Sequence, residues 1–262
     1  MKPLGRKQRI KNEVWLEAEA DIERIVPREA LDRLTAATVA DIRQKVLGRN
    51  AAFAWSGGKD SLVLERLCYL ADVEECVLVI SNLEYRAFLA WVTDHMPSQL
   101  EVVDTGQDLE WLSKHQDMIF PQDSQTAAKW FHIIQHRGQA QYYKQRGCDV
   151  LLLGRRKADG NYVGGASNIY TDRQGITRFS PMADWKHEDV LAFIHYHGLP
   201  LPPFYRWPNG YYCGTHSWPA RQWTGTAENG WKEVFSIDPD IVREAAEYIP
   251  AARCFLESGV AS

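Results

Sequence analysis

Ser56, Gly57, Gly58, Lys59, Asp60 and Ser61 stand in an unbroken row, and their types suit one kind of chemistry, the holding of a phosphate. Two adjacent glycines let the backbone turn tightly and come close to a ligand, so that successive N–H groups converge on an anion. Ser56 and Ser61 add hydroxyls, Lys59 adds a mobile positive charge, and a helix starting near Ser61 would add the positive end of its dipole. A plain helix start with a Gly turn and a Ser or Asp cap uses similar residues, but needs no lysine between the glycines and Asp60. A Walker A loop is excluded, because it requires four residues between its first Gly and its Gly-Lys pair.

A second charged group follows at Gly154-Arg155-Arg156-Lys157. A glycine that frees the backbone and three cations in a row could face phosphate oxygens or the charge on a leaving pyrophosphate; a solvated basic turn would look the same. Asp159 could bind magnesium, hold an arginine in place or cap a turn. Cys213 stands three residues before His216, the pairing of a thiolate nucleophile with its base, though a buried thiol beside a histidine bonded to a carbonyl is the simpler reading. Five cysteines, with no CxxC pair, suggest neither a disulfide framework nor a zinc or iron–sulfur site. Cys68, Cys76 and Cys148 fall on apolar faces, and Cys254 is a weak candidate for a mobile thiol.

The elements that must position these residues read as an alternation. An apolar stretch at 51–55 leads into the glycines as a strand, followed by helix 62–70, strand 76–80, helix 84–95, strand 100–103, a long helix near 124–146 and strand 149–153. Strands alternating with helices imply an α/β fold with a parallel sheet and right-handed crossovers. Ligands of such sheets bind beyond the carboxyl ends of the strands, where 56–61 and 154–157 both lie. A further helix carries Leu191, Ile194 and Tyr196 and ends near Gly198-Leu199-Pro200, with Asp184 as its cap and Trp185 in the core. Residues 11–47 read as helix broken at Pro27. Residues 204–231 carry Trp207, Tyr211, Tyr212, Trp218, Trp223 and Trp231 among prolines and glycines without periodicity, a structured loop or lid. Its aromatic rings could stack a base, a flavin or a nucleic-acid strand with help from Arg206 and Arg221, or pack as a satellite core. The expected division is a helical N-terminal extension over 1–48, a nucleotide-binding α/β domain over 49–203, and an aromatic-rich lid with a C-terminal helix over 204–262.

The chain has 262 residues, 45% hydrophobic and 24% charged, with a formal charge of −4. That balance gives no general drive toward nucleic acid or an acidic membrane surface. The first residues lack the apolar run of a signal peptide and no later stretch approaches spanning length, so a cytoplasmic enzyme is expected.

The row from Ser56 to Ser61 resembles the PP-loop of the ATP pyrophosphatases, the SGGxDS signature that grips the pyrophosphate of ATP. Leu151-Leu152-Leu153-Gly154-Arg155-Arg156, then Ser180-Pro181-Met182-Ala183-Asp184-Trp185 with Asp189-Val190, then Leu199-Pro200 and Pro203-Phe204-Tyr205, is similar in order and spacing to the phosphoadenosine phosphosulfate (PAPS) reductase family. That family includes sulfonucleotide reductases, the small subunit of ATP sulfurylase and a class of FAD synthetases. The resemblance implies an adenine-nucleotide α-hydrolase-like, Rossmann-like fold. Ser56, Gly57, Gly58, Lys59, Asp60, Ser61 and Gly154 would hold the phosphates of ATP, Arg155 and Arg156 would face the charged nucleotide or co-substrate, and Asp60 and Asp159 would be the candidates for Mg2+.

Departures from the family choose among its branches. Its reductases have an eroded loop and a catalytic cysteine in a C-terminal ECGLH-like motif, whereas this chain keeps Lys59 and lacks that motif. Asp104-Thr105-Gly106, a string found in the family after the second strand, stands here after the third. The expected reaction is adenylyl transfer: an acceptor, sulfate or a flavin phosphate, attacks the α-phosphorus of ATP and expels pyrophosphate, with Lys59, Arg155 and Arg156 stabilising the leaving charge. The rivals are a thiol-dependent PAPS reductase using Cys213 and a nucleic-acid-modifying or nucleic-acid-binding protein. A partner subunit or a homodimer would be compatible with any of them.

Overall fold

The computed structural model describes residue 4, residues 10–221 and residues 224–258. Six strands form one sheet in the order β3-β2-β1-β4-β6-β5. β1 (Ala51–Ala54), β2 (Cys76–Ile80), β3 (Leu100–Asp104) and β4 (Val150–Leu152) are parallel, as the alternation predicts. Their side chains explain it: Ala52, Phe53, Val77, Leu78, Val79, Val150, Leu151 and Leu152 are buried, the near-continuous apolar pattern of strands covered on both faces. The chain steps outward from β1 to β3 and then crosses back to β4 on the other side of β1. That reversal makes the gap between the carboxyl ends of β1 and β4 the topological switch point.

Two strands were not foreseen. β5 (Ile169–Thr171) and β6 (Thr177–Phe179) form an antiparallel hairpin, and β6 continues the sheet in parallel with β4. Each is three residues long and too short for periodicity to register. The signal lay in the turn, where the Asp172 carboxylate accepts hydrogen bonds from the amides of Gln174 (2.9 Å) and Ile176 (3.1 Å).

The helical extension comprises α1 (Asn12–Ala20), α2 (Ile22–Ile25) and α3 (Arg28–Val46), with Pro27 immediately before α3. α4 (Lys59–Leu70) follows the glycines, and α5 (Arg86–His95) lies between β2 and β3. After the short α6 (Leu109–Ser113), the long helix is α7 (Ser124–Phe131) and α8 (Arg137–Gln145), joined by a widened π turn over His132–His136. α9 (His187–His197) is closed at its start by Asp189, whose carboxylate accepts from the Lys186 amide at 2.7 Å. Asp184, the expected cap, instead pairs with Lys157 at 2.6 Å; Trp185 is core, its ring N–H donating to Thr38 of α3 at 3.0 Å.

The described residues from 204 to 226 form short turns around α10 (Gly210–Cys213), leading to α11 (Ala227–Ile237), α12 (Pro239–Tyr248) and α13 (Pro250–Glu257). The aromatic residues there join the main core and not a satellite one: Phe204, Tyr205, Tyr211, Trp218 and Trp231 are all buried in one cluster with the sheet. Trp223 lies outside the described residues. Among the described residues, no helix is long and apolar enough to cross a membrane.

Candidate phosphate site

The loop between β1 and α4 is built as the glycines predict. Gly57 has φ +64°, and a Cβ there would lie 3.0 Å from the rings of both Phe88 and Trp91, so only glycine meets the turn and its roof together. Ser61 closes the loop on itself, donating from its hydroxyl to the Gly58 carbonyl (2.9 Å) and accepting from the Ser56 amide (3.1 Å). Gly154, at the end of β4, lets that strand's exit touch the loop: a Cβ there would sit 3.1 Å from the Asp60 carbonyl oxygen. The structure thus brings the 56–61 row and Gly154 to one place, at the switch point.

Lys59 is not the mobile cation expected from its place in the row. It is 1% exposed, its ammonium 2.5 Å from the Asp60 carboxylate and 5.5 Å from the Trp15 ring of α1. Arg156, fully buried, pairs with Asp60 at 2.9 Å and with Asp159 at 3.0 Å. It also approaches His187 Nδ1 at 3.2 Å and donates to the Trp185 carbonyl at 3.4 Å. Two cations and two carboxylates therefore form one buried network under the loop, and Asp159 is the arginine holder of the readings open to it. Burial, with Arg156 and Lys59 close by, pulls His187 down to about 4, so the imidazole is neutral near pH 7 and accepts from Arg156.

Arg155 points elsewhere. Its guanidinium donates to the Tyr170 hydroxyl (2.9 Å) and meets His136 Nε2 (2.9 Å) in the widened turn before α8. Burial and the guanidinium groups of Arg155 and Arg178 hold His136 at about 4, so it too stays neutral and can accept. Arg178 is buried alongside, bonded to Gln139 (2.7 Å) and Asp172 (2.8 Å). Neighbours in sequence, Arg155 and Arg156 thus serve two separate clusters, because successive residues leaving a strand face opposite ways.

The sequence reading missed three residues that touch the loop. Tyr205 accepts a hydrogen bond from the Lys59 amide at 2.7 Å, and Thr215 donates to the Ser56 carbonyl at 2.9 Å. Trp15 packs between Lys59, the His187 ring (4.7 Å, edge-on) and the Tyr211 ring (4.9 Å, parallel). The helical extension thereby covers the lysine of the loop. Tyr205 stands in a block that carries the family resemblance but was given no role there, and only long-range packing brings it, Thr215 and Trp15 to the loop.

Cys213 ends α10 and is 6% exposed; the His216 ring lies edge-on to Phe131 at 5.0 Å. Arg206 pairs with Glu19 (2.9 Å), and buried Arg221 pairs with Glu233 while donating to the Pro208 carbonyl at 2.8 Å. Both arginines bind carboxylates of their own chain. Among the described residues, no group of three His, Cys, Asp or Glu side chains could hold a metal ion.

Known proteins resemble this chain in sequence and fold. Two curated relatives are a phosphoadenosine phosphosulfate reductase of Emericella nidulans, 22% identical over 126 residues, which are 48% of this chain and 39% of that protein, and a phosphoadenosine 5'-phosphosulfate reductase of Vibrio parahaemolyticus, 22% identical over 136 residues, 52% and 51%. The chain thus spans about half or less of the length of the relatives it matches. Among solved structures, the phosphoadenylyl-sulfate (PAPS) reductase of Candida auris in a phosphate complex superposes with a TM-score of 0.50 at 18% identity, covering 68% of this chain and 90% of that one, a likeness of fold. The pattern of the phosphoadenosine phosphosulfate reductase domain matches residues 50–212, from the start of β1 through the aromatic turns, and the chain belongs to that family.

Proposed function

We propose that this chain is a PP-loop enzyme that binds an adenine nucleotide by its phosphates and cleaves ATP between the α- and β-phosphates, transferring the adenylyl group to an anionic acceptor. The observation that carries this reading is the complete loop from Ser56 to Ser61, with Gly57 in the left-handed region and Gly154 against Asp60, at the switch point of the sheet. In it the Ser56 and Ser61 hydroxyls and the first amides of α4 grip the pyrophosphate. The network of Lys59, Asp60, Arg156 and Asp159 is balanced in charge and holds the loop in shape, while the amides at the start of α4 stabilise the departing charge. Arg155, on the far side of Gly154, faces the acceptor, which we read as sulfate or a flavin phosphate. The acceptor oxygen attacks the α-phosphorus as the bond to the β-phosphate oxygen breaks. Pyrophosphate leaves with that electron pair and no protein base is needed.

Asp60 and Asp159 spend their charge on Lys59 and Arg156, so they do not fit a resident magnesium site. We assign no step to a metal held by this chain.

A second reading is a thiol-dependent reduction of a sulfonucleotide. It is favoured by the names of the curated relatives and by the place of Cys213 on α10, two residues from Tyr211 in the aromatic packing around the loop. The experiment that separates the two is pyrophosphate release from ATP with sulfate or flavin mononucleotide, run beside reduction of PAPS with a thiol donor. Acceptor-stimulated pyrophosphate release that Lys59→Ala abolishes supports adenylyl transfer; turnover of PAPS alone replaces it with the reductase.

A further inference from the structure

Tyr205 sits where a phosphate oxygen would bind. Its hydroxyl takes the amide of Lys59, the first residue of α4, and helix N-terminal amides of this kind are the donors a phosphate loop offers its ligand. Three hydroxyls lie nearest the position a side chain at Gly58 would take: a Cβ there would lie 3.3 Å from both Ser56 Oγ and Tyr205 Oη, and 3.4 Å from Thr215 Oγ1. Tyr205 and Thr215 come from the aromatic turns, some 150 residues beyond the loop, and Thr215 ties the same segment to the Ser56 carbonyl. Burial raises the Tyr205 hydroxyl well above its ordinary value, with Asp60 adding to the effect, so the group on the amide is neutral.

We propose that Tyr205 is a built-in competitor for the phosphate of the loop: its neutral hydroxyl holds the Lys59 amide in the unliganded loop, and a charged phosphate oxygen takes that amide from it. The inference rests on the phosphate reading of the loop made above. A charge-assisted hydrogen bond is about twice as strong as a neutral one, so phosphate wins the exchange, whereas an uncharged nucleoside brings nothing to compete with. The exchange is also transmitted. Tyr205 packs against Tyr211 at 4.9 Å, and Tyr211 stacks on Trp15, so a phosphate that moves Tyr205 loosens the turns on which Cys213 stands. Asn209 (φ +55°) and Gly214 (φ +59°) bracket α10 with positive-φ residues, and those positions can absorb the movement.

The test is calorimetric binding of inorganic pyrophosphate, ATP and adenosine to the full chain, Tyr205→Phe and Thr215→Val, with a thermal melt of each as a fold control. Removing the competing hydroxyl should tighten pyrophosphate binding about three- to tenfold, the worth of one ordinary hydrogen bond, and leave adenosine unchanged. Thr215→Val should move pyrophosphate binding the same way by less, and it decides the matter if Tyr205→Phe does not fold. In the unaltered chain, pyrophosphate should speed hydrogen exchange in peptides covering 203–218. Folded Tyr205→Phe that binds pyrophosphate no better, or more weakly, overturns the proposal, because the hydroxyl would then be organising the loop rather than competing for it. Should no variant bind pyrophosphate or ATP, the phosphate reading itself falls and the competition by Tyr205 with it, an outcome distinct from the first.

Discussion

The carboxylate of Asp60 lies 2.9 Å from the guanidinium of Arg156, and this contact joins the first turn of α4 to the segment leaving β4. Asp60 also neutralises Lys59 at 2.5 Å. Asp60 thus bridges the two buried cations, with Asp159 sharing the charge of Arg156. Asp60→Asn should remove the carboxylate that joins them and cost about 3–5 kcal/mol, the penalty for breaking a buried pair. Lys157→Met, which removes an exposed pair with Asp184, should cost less than about 1 kcal/mol. Urea denaturation of the two variants checks the contrast; equal costs would mean that the buried network carries no more than a surface pair.

Gly57→Ala should be worse than strain alone predicts. A non-glycine residue in the left-handed region costs about 1–2 kcal/mol, and here the added methyl also meets Phe88 and Trp91 at 3.0 Å. Gly48 has a similar φ of +70° with nothing within 4 Å, so Gly48→Ala isolates the strain. The difference in melting temperature between the two variants measures the roof over the loop, and no difference would show that the rings yield.

Acid should weaken the fold through its histidines. His136 and His187 are held at about 4, against an ordinary value of 6.5. Between those values the unfolded chain binds protons that the folded chain refuses, so stability present above pH 6.5 is lost as the pH falls toward 4. His136 faces Arg155, Arg178, His132 and Asp172, and His187 faces Arg156, Lys59, Asp159 and Asp60. Glu84, which burial raises to about 7, works in the opposite direction over much of this window, gaining stability as the pH falls. The readout is therefore a difference: His187→Gln should show a shallower loss of stability from pH 6.5 to 4.5 than the unaltered chain. An identical slope would mean that His187 titrates alike in both states.

Cys213→Ser separates the two proposed reactions. Under adenylyl transfer, turnover with ATP and acceptor should stay within about twofold, since replacing SH by OH at one buried site is a modest packing change. Under thiol-dependent reduction, PAPS turnover should vanish while nucleotide affinity is retained. Loss of both binding and turnover would mark Cys213 as structural.

The sheet and its loop were legible because they rest on local rules. Apolar strands covered on both faces, a glycine pair and a following helix all write themselves into short stretches of sequence. The β5–β6 hairpin was not legible, because three-residue strands carry no period, and its turn is held by the side chain of Asp172. The site was half legible. Position in a motif identified Ser56, Gly57 and Ser61, but it could not say that Lys59 would be buried, or that Arg155 and Arg156 would part company after β4. The roles of Tyr205, Thr215 and Trp15 were hidden for a different reason: they reach the loop only through tertiary packing across the length of the chain.

The strand order has a consequence in time. β1 meets β2 across about two dozen residues but meets β4, as in Ala51 beside Val150, across about a hundred, and the Lys59 amide finds Tyr205 across 146. Closing loops of that length costs entropy that no nearby contact returns. The β1–α4–β2 half can therefore form early, while β4 and the aromatic turns, which wall and cover the loop between β1 and α4, wait until residues 150–215 have been made and have folded back. During synthesis, the Ser56–Ser61 loop is written long before it is finished.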